Sequence, residues 1–299
     1  MTRKATWVLS LAILFCTGCT NSLADRIEPS FSEPIEALVA ADEAVALGSR
    51  TRGLDAVVAA LDDDVVVFAP PVPGFAHGPN NARATLTAAL QGAPTALDWR
   101  PMRVGVSSDG QQGFSYGYID DVSGHSAVIG KYVAYWIHRS DGWRILLFKL
   151  VPRPEGSITQ SPLPHYAPPH RSVSTDAELI ARYRQSLASQ EQNFSDTAQT
   201  IGLSEAFVRF GRDDSVNVGG DSEFVVGAQN IGAIHPEGPS PLRWSADQGV
   251  IVATTGDLGV TWGYLRRNGP TPPGRLAEIP FFTIWARDTP TEEWRYIAE

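Results

Sequence analysis

Apolar positions early in the chain recur at helical spacing. Between Glu33 and Leu47, Ile35, Leu38, Val39 and Val45 fall on one face, and Asp42 shares their stripe. The segment LDAVVAAL continues the helical pattern up to Asp62, Asp63 and Asp64, which read as an acidic turn. A β-branched run, VVVFA, predicts a strand, and a Pro/Gly loop carrying His77 and Gly78 leads into a helix from about Asn81 to Leu90. The period then drops to two. Trp99 to Ser107, Gly113 to Ile119, Gly130 to His138 and Trp143 to Leu150 read as four consecutive strands, with SSDG and SDG as hairpin turns.

The second half repeats that order. Thr175 and Glu178 have capping-box spacing before a helix whose Leu179, Ile180, Tyr183 and Leu187 line one face. A second helical stretch near Ser195 to Phe207 precedes DDSVNV, Gly227 and a short helix near Ala228 to Ile234. Strands are expected over Trp244 to Ala253, Gly259 to Arg267, Glu278 to Arg287 and Trp294 to Ala298. The phrase GFSYGY at 113 to 118 returns as GVTWGY at 259 to 264, and Asp64, Gly78, Trp99, Trp136 and Trp143 align with Asp213, Gly227, Trp244, Trp285 and Trp294. The chain therefore reads as one small domain written twice, over residues 33–151 and 175–299. Between them, 152–174 forms a proline-rich linker expected to be extended and semi-rigid.

The phrase GKYVAYWIHRSDGWRI holds Gly130, Tyr132, Trp136, Asp141, Gly142 and Trp143, and with the helix-rich start it resembles the NTF2-like superfamily, in particular its SnoaL-like and DUF4440-type members. The resemblance implies an α+β fold of two cone-shaped domains, each a strongly curved antiparallel sheet wrapped around N-terminal helices with a pocket at the open end. It also implies isomerases, dehydratases and cyclases as well as modules without chemistry, so fold does not supply function. Many relatives carry a carboxylate a few residues after the closing Trp. Here Lys149 stands near that place in the first copy, and the second copy reads as clipped, ending at Glu299 soon after Trp294.

Ahead of the repeats, MTRKATWVLSLAILFCTGC (residues 1–19) has export-signal grammar: Arg3 and Lys4, a short apolar run, then small residues. Thr17, Gly18 and Cys19 resemble a bacterial lipobox, which implies lipid attachment at Cys19, a tether over 20–32, and a periplasm-facing protein on the outer membrane. Cys16 stands where the lipobox usually has Leu, and without lipidation the protein would be secreted. Both cysteines lie in this segment, so the remaining chain has none for disulfides, nucleophilic catalysis or zinc. The formal charge is −9, and without Arg3 and Lys4 it is −11, with 22 basic against 33 acidic residues. Such a surface repels phosphate backbones, and no nucleic-acid partner is expected.

Candidate chemistry is sparse. Strand alternation puts Phe114, Tyr116 and Tyr118 on one face and Val260, Trp262 and Tyr264 on its counterpart. Either these aromatics wall a pocket or they pack a core, where burying 150–250 Å² each is reason enough to keep them. The candidate pocket comprises Tyr116, Tyr118, Tyr132, Trp262, Tyr264 and Phe281. His77, His125, His138 and His235 have no partner at metal or triad spacing, and no phosphate loop, Gly-x-Ser-x-Gly elbow or His-Glu-x-x-His run is present, so neither a metal nor a cofactor is expected. The expectation is a non-catalytic module that binds a small apolar or amphipathic ligand or an envelope protein, with the two domains pairing as a dimer would. Two alternatives stay open: a structural adaptor, and a cofactor-free enzyme moving a proton through Asp98, His125 or Lys131 beside an aromatic pocket.

Overall fold

The computed structural model describes residues 32–122, 129–154 and 156–299. The first repeat runs α1 (Ser32–Arg52), α2 (Leu54–Ala59), β1 (Leu61–Phe68), β2 (Ala76–His77), α3 (Pro79–Ala89), β3 (Leu97–Val106), β4 (Gln112–Asp121), β5 (Ile129–Arg139) and β6 (Gly142–Pro152). The second follows the same order: α4 (Ala177–Thr200), α5 (Leu203–Phe210), β7 (Gly211–Asn217), β8 (Val225–Val226), α6 (Ala228–Ala233), β9 (Leu242–Val252), β10 (Leu258–Arg267), β11 (Glu278–Ala286) and β12 (Arg295–Ala298). Each repeat makes its own six-stranded sheet, ordered β2-β1-β6-β5-β4-β3 and β8-β7-β12-β11-β10-β9. Both halves have the α+β architecture that the NTF2-like resemblance implies, with one departure. The sheets are mixed, because β1 pairs with β6 and β7 with β12 in parallel.

Several boundaries differ from the sequence reading for local reasons. Asp62, Asp63 and Asp64 belong to β1, not to a turn, and Asp62 is held there by a two-pronged pairing with Arg139 at 2.7 and 2.9 Å. The cap of α4 is Asp176, whose carboxylate accepts from the amides of Glu178 and Leu179 at 3.0 and 3.1 Å, one residue past the Thr175 expected. That helix runs through Thr200 and breaks at Gly202, whose φ of 106° suits only glycine.

Bulges bend the sheets around their helices. Inside the first cone, α1 packs on β3 to β6 in a core that includes Leu38, Trp99, Tyr132, Trp136 and Phe148, and inside the second, Leu187, Phe194, Trp244, Phe281 and Trp285 form the counterpart. Four of the six positions of the recurring phrase have a packing cause common to both copies. Gly113 and Gly259 lie beneath Leu38 and Leu187 of the long helices, where a Cβ would strike the leucine. Gly117 and Gly263 sit against Arg100 and Ser245 carbonyls at the bulges. Ser115 and Thr261 face into the cones, while Tyr116 and Trp262 face out.

The outward faces of the two sheets meet in a third core that combines Phe114, Tyr116, Tyr118, Val133 and Leu147 with Phe224, Val260, Phe282, Ile284 and Ala298. Polar ties cross it. Arg103, buried, donates to the Asp214 carboxylate at 2.6 Å and to its carbonyl at 2.8 Å. The 152–174 segment is not a free spacer: the Leu163 and Tyr166 amides donate to the carbonyls of Met102 and Val104, and the Val106 amide donates to Tyr166, so the segment runs as a strap along β3.

Candidate functional site

Each cone buries one carboxyl group on its long helix. In the first, the Trp99 indole donates to Asp42 Oδ1 at 2.8 Å and the Tyr132 hydroxyl to Oδ2 at 3.3 Å, while Trp136 donates to Ser115 Oγ at 2.9 Å. In the second, Trp244 donates to Glu191 Oε1 at 2.6 Å, Thr261 and Trp285 donate to Oε2 at 2.5 and 3.0 Å, and Trp285 also reaches Thr261 at 3.0 Å. Acid, hydroxyl and two indoles recur in the same places. Burial pushes the Asp42 carboxyl up to about 7 against the pull of its hydrogen bonds, and burial raises Glu191 likewise. These hydrogen-bonded networks pin helix to sheet.

The two cones differ in what fills the space in front of that network. In the first, Tyr132 stacks on Trp99 at 3.9 Å, Phe148 stacks on both rings at 5.8 and 6.1 Å, and Leu86 of α3 is buried beside them. Register carries these positions across. Tyr135 pairs with Leu147 and Ile284 with Ala298, so the next residues along, Phe148 and Glu299, are equivalent. Counting from the shared Gly78 and Gly227, Leu86 corresponds to His235; Tyr132 corresponds to Phe281 by its pairing with Gly117, as Phe281 pairs with Gly263. The second cone thus has Glu and His where the first has Phe and Leu.

The space so opened is a cavity of ≈ 120 Å³, lined by Phe194, Leu203, Phe207, His235, Ser240, Leu242, Trp244, Leu265, Phe281, Thr283 and Glu299. Helix α6 ends at Ala233, against eleven residues in α3, and the shorter helix leaves His235 in a loop, stacked on Phe207 at 4.0 Å. Its Nε2 is buried without a partner, and burial holds the imidazole below its ordinary value, favouring the neutral form. Glu299 Oε2 is buried and unpartnered too. Burial pushes this carboxyl up to about 7, with Lys149 pulling it down and Glu191 adding to the rise.

The residues singled out from sequence are dispersed. Tyr116 and Tyr118 face the other repeat in the shared core, where both approach Phe224 at 5.0 and 5.2 Å, so the aromatic face of the phrase looks away from the cone. Trp262 packs at the edge of that core, and Tyr264 lies 5.2 Å from Phe75. Tyr132 is in the first cone, tied to Asp42, and of the six candidate pocket residues Phe281 alone lines the cavity. Asp98 is paired with Arg100 at 2.9 Å, and Lys131 Nζ donates to the Asp221 and Glu223 carbonyls at 2.6 and 2.9 Å, with burial lowering it to about 8. Neither lines the cavity. Cys19 and His125 lie outside the described residues. Neither His235 nor Glu299 belongs to a motif; the signal that finds them is a comparison of the two copies position by position.

No protein-family model and no curated protein matches this chain. Solved structures similar to it include a ketosteroid isomerase-like protein from Erwinia carotovora atroseptica, at 17% identity over 41% of this chain and 98% of that one, with a TM-score of 0.33. An NTF2-like protein of unknown function from Pseudomonas putida KT2440 matches at 12% identity over 44% and 94%, TM-score 0.33. A protein of unknown function with a cystatin-like fold from Nostoc punctiforme matches at 11% identity over 40% and 91%, TM-score 0.32.

Proposed function

We propose that the second repeat is a small-molecule binding domain and that the first is its built-in partner, a cone whose interior is closed. The observation that carries this is the exchange of Phe148 and Leu86 for Glu299 and His235, which leaves a largely apolar cavity with these two polar residues in its lining where the first cone has a ring and a leucine packed in its core. Pockets of this kind, apolar with a few convergent polar groups, are where small ligands bind. With Cys19 as lipid attachment site, the domain pair would be held in the cell envelope facing the periplasm. Native mass spectrometry of the full chain purified from its own host tests the binding. A small molecule retained by the wild type and absent from Glu299→Phe supports it; an empty wild-type protein, or equal retention by both, counts against it.

A second reading is proton transfer without a cofactor, favoured by one observation: a carboxyl raised to about 7 and a neutral imidazole line the same apolar cavity. A base poised near neutrality can take a proton from carbon next to a carbonyl and return it elsewhere. Deuterium exchange into a small cyclic ketone, fast with wild type and at the background rate with Glu299→Gln, is the expected outcome. Equal rates for the two proteins would leave binding alone.

A further inference from the structure

Building on the binding role proposed for the second cone, we infer that its ligand is a neutral single-ring molecule bearing one hydroxyl, a phenol in chemical class. Size sets the first limit. A cavity of about 150 Å³ lined by Leu, Ile and Phe holds one benzene, so ≈ 120 Å³ admits one small ring and no fused system. The walls set the second. Phe194, Trp244 and Phe281 offer aromatic faces and edges, and Phe281 supplies no hydroxyl where the first repeat has that of Tyr132.

Polarity sets the third limit. Two buried polar atoms on lining residues, His235 Nε2 and Glu299 Oε2, lack partners. Each such atom costs about 1–3 kcal/mol unless something satisfies it. A hydroxyl both donates and accepts, so it can serve Glu299 and the His235 imidazole in either protonation state, whereas an ether or a ketone only accepts and a bare hydrocarbon does neither. A ligand carboxylate would have to compete with Glu299 for Lys149, with Glu191 as a second acid nearby, and a fixed positive charge would lose its hydration among apolar walls.

Calorimetric titration of the full chain at pH 7 with p-cresol, toluene, benzoate and benzylamine decides the matter. The wild type is expected to bind p-cresol at least tenfold more tightly than the other three. His235→Leu and Glu299→Gln, the first of which installs the first repeat's own residue, should bind p-cresol no better than toluene, and Glu299→Phe should bind neither. Toluene bound as tightly as p-cresol would overturn hydroxyl recognition while leaving the cavity as a binding site. Tighter binding of benzoate or benzylamine would overturn the neutral class. If none of the four binds, or Glu299→Phe binds like wild type, the binding role falls and this inference with it.

Discussion

Asp109 and Thr254 join the two repeats at their hairpin turns: one carboxylate oxygen of Asp109 accepts from the Thr254 amide at 3.0 Å and from its hydroxyl at 2.7 Å. The tie is reciprocated, since the Ser108 amide donates to Asp257 Oδ2 at 2.9 Å. Both acids are buried and each also organises its own turn, Asp109 through Ser107 and Gln111, Asp257 through Thr255. Together with the shared core, these contacts are expected to make the repeats unfold as one cooperative unit.

Asp109→Ala leaves buried donors unpaired on both sides of the junction and is expected to cost about 3 kcal/mol. Because the donors belong to both repeats, urea unfolding followed by tryptophan fluorescence should stay a single transition with a lower midpoint. Two separated transitions, with only the first-repeat one displaced, would contradict the coupling.

Much of this architecture was legible along the chain, and the reason lies in residues that each do one job. Gly113 and Gly259 are where the helix leucines come close, Ser115 and Thr261 reach the inner networks, and the aromatic residue after each hydroxyl meets the other sheet. Alternation gave the two faces of each strand but not which one turns inward, because both are buried and both are apolar. Asp42 was visible as a carboxylate in an apolar helical stripe, a pattern that signals a buried partner. The cavity was not visible, since it arises from Glu299 and His235 standing where the first repeat has Phe148 and Leu86, an equivalence that only the bulged register shared by both sheets reveals, and from a helix five residues shorter than its counterpart, neither of which a motif records.

Asp42 ties stability to pH with a definite sign. Its carboxyl rises from 3.8 to about 7 on folding, so the folded chain holds the proton more tightly than the unfolded one. The corresponding stabilisation is complete below the unfolded value and is lost as pH climbs from about 4 to about 7, on the order of 4 kcal/mol in all. Asp62, lowered by its Arg139 hydrogen bonds, acts oppositely, contributing above its unfolded value and losing that contribution in acid. The wild type should therefore melt higher at pH 5.5 than at pH 8, and Asp42→Asn should narrow the difference between those melting temperatures. An unchanged difference in the variant would mean that Asp42 does not titrate in this range.

Arg103 places a buried guanidinium against Asp214 of the other repeat and donates through Nε to the Pro164 carbonyl of the strap at 2.9 Å. Removing Asp214 strands that charge. Asp214→Ala is expected to cost about 3–5 kcal/mol, and Arg103→Met with Asp214→Ala less than the acid change alone, because the uncompensated cation is gone. Chemical denaturation of the three variants checks the order; a double variant weaker than Asp214→Ala would reverse it.

The equivalence of Phe148 and Glu299 predicts opposite outcomes for exchanging them. Phe148→Glu removes a ring stacked on Trp99 and Tyr132, a loss of about 3–5 kcal/mol in the manner of large-to-small core changes, and adds a carboxyl to a filled interior already holding Asp42. Glu299→Phe does the reverse, replacing a buried, partly unpaired carboxyl with a ring that the ≈ 120 Å³ cavity can take in. The wild-type Glu299 carboxyl, raised to about 7, opposes folding by on the order of 2–3 kcal/mol more as it ionises between pH 5 and pH 8, while Glu299→Phe leaves buried Lys149 without the carboxylate that offsets its burial, so the variant should gain about 1–2 kcal/mol relative to wild type on going from pH 5 to pH 8. Thermal unfolding at the two pH values reads this directly. A variant whose stability relative to wild type is no better at pH 8 than at pH 5 would show that Glu299 does not ionise in the folded chain over this range.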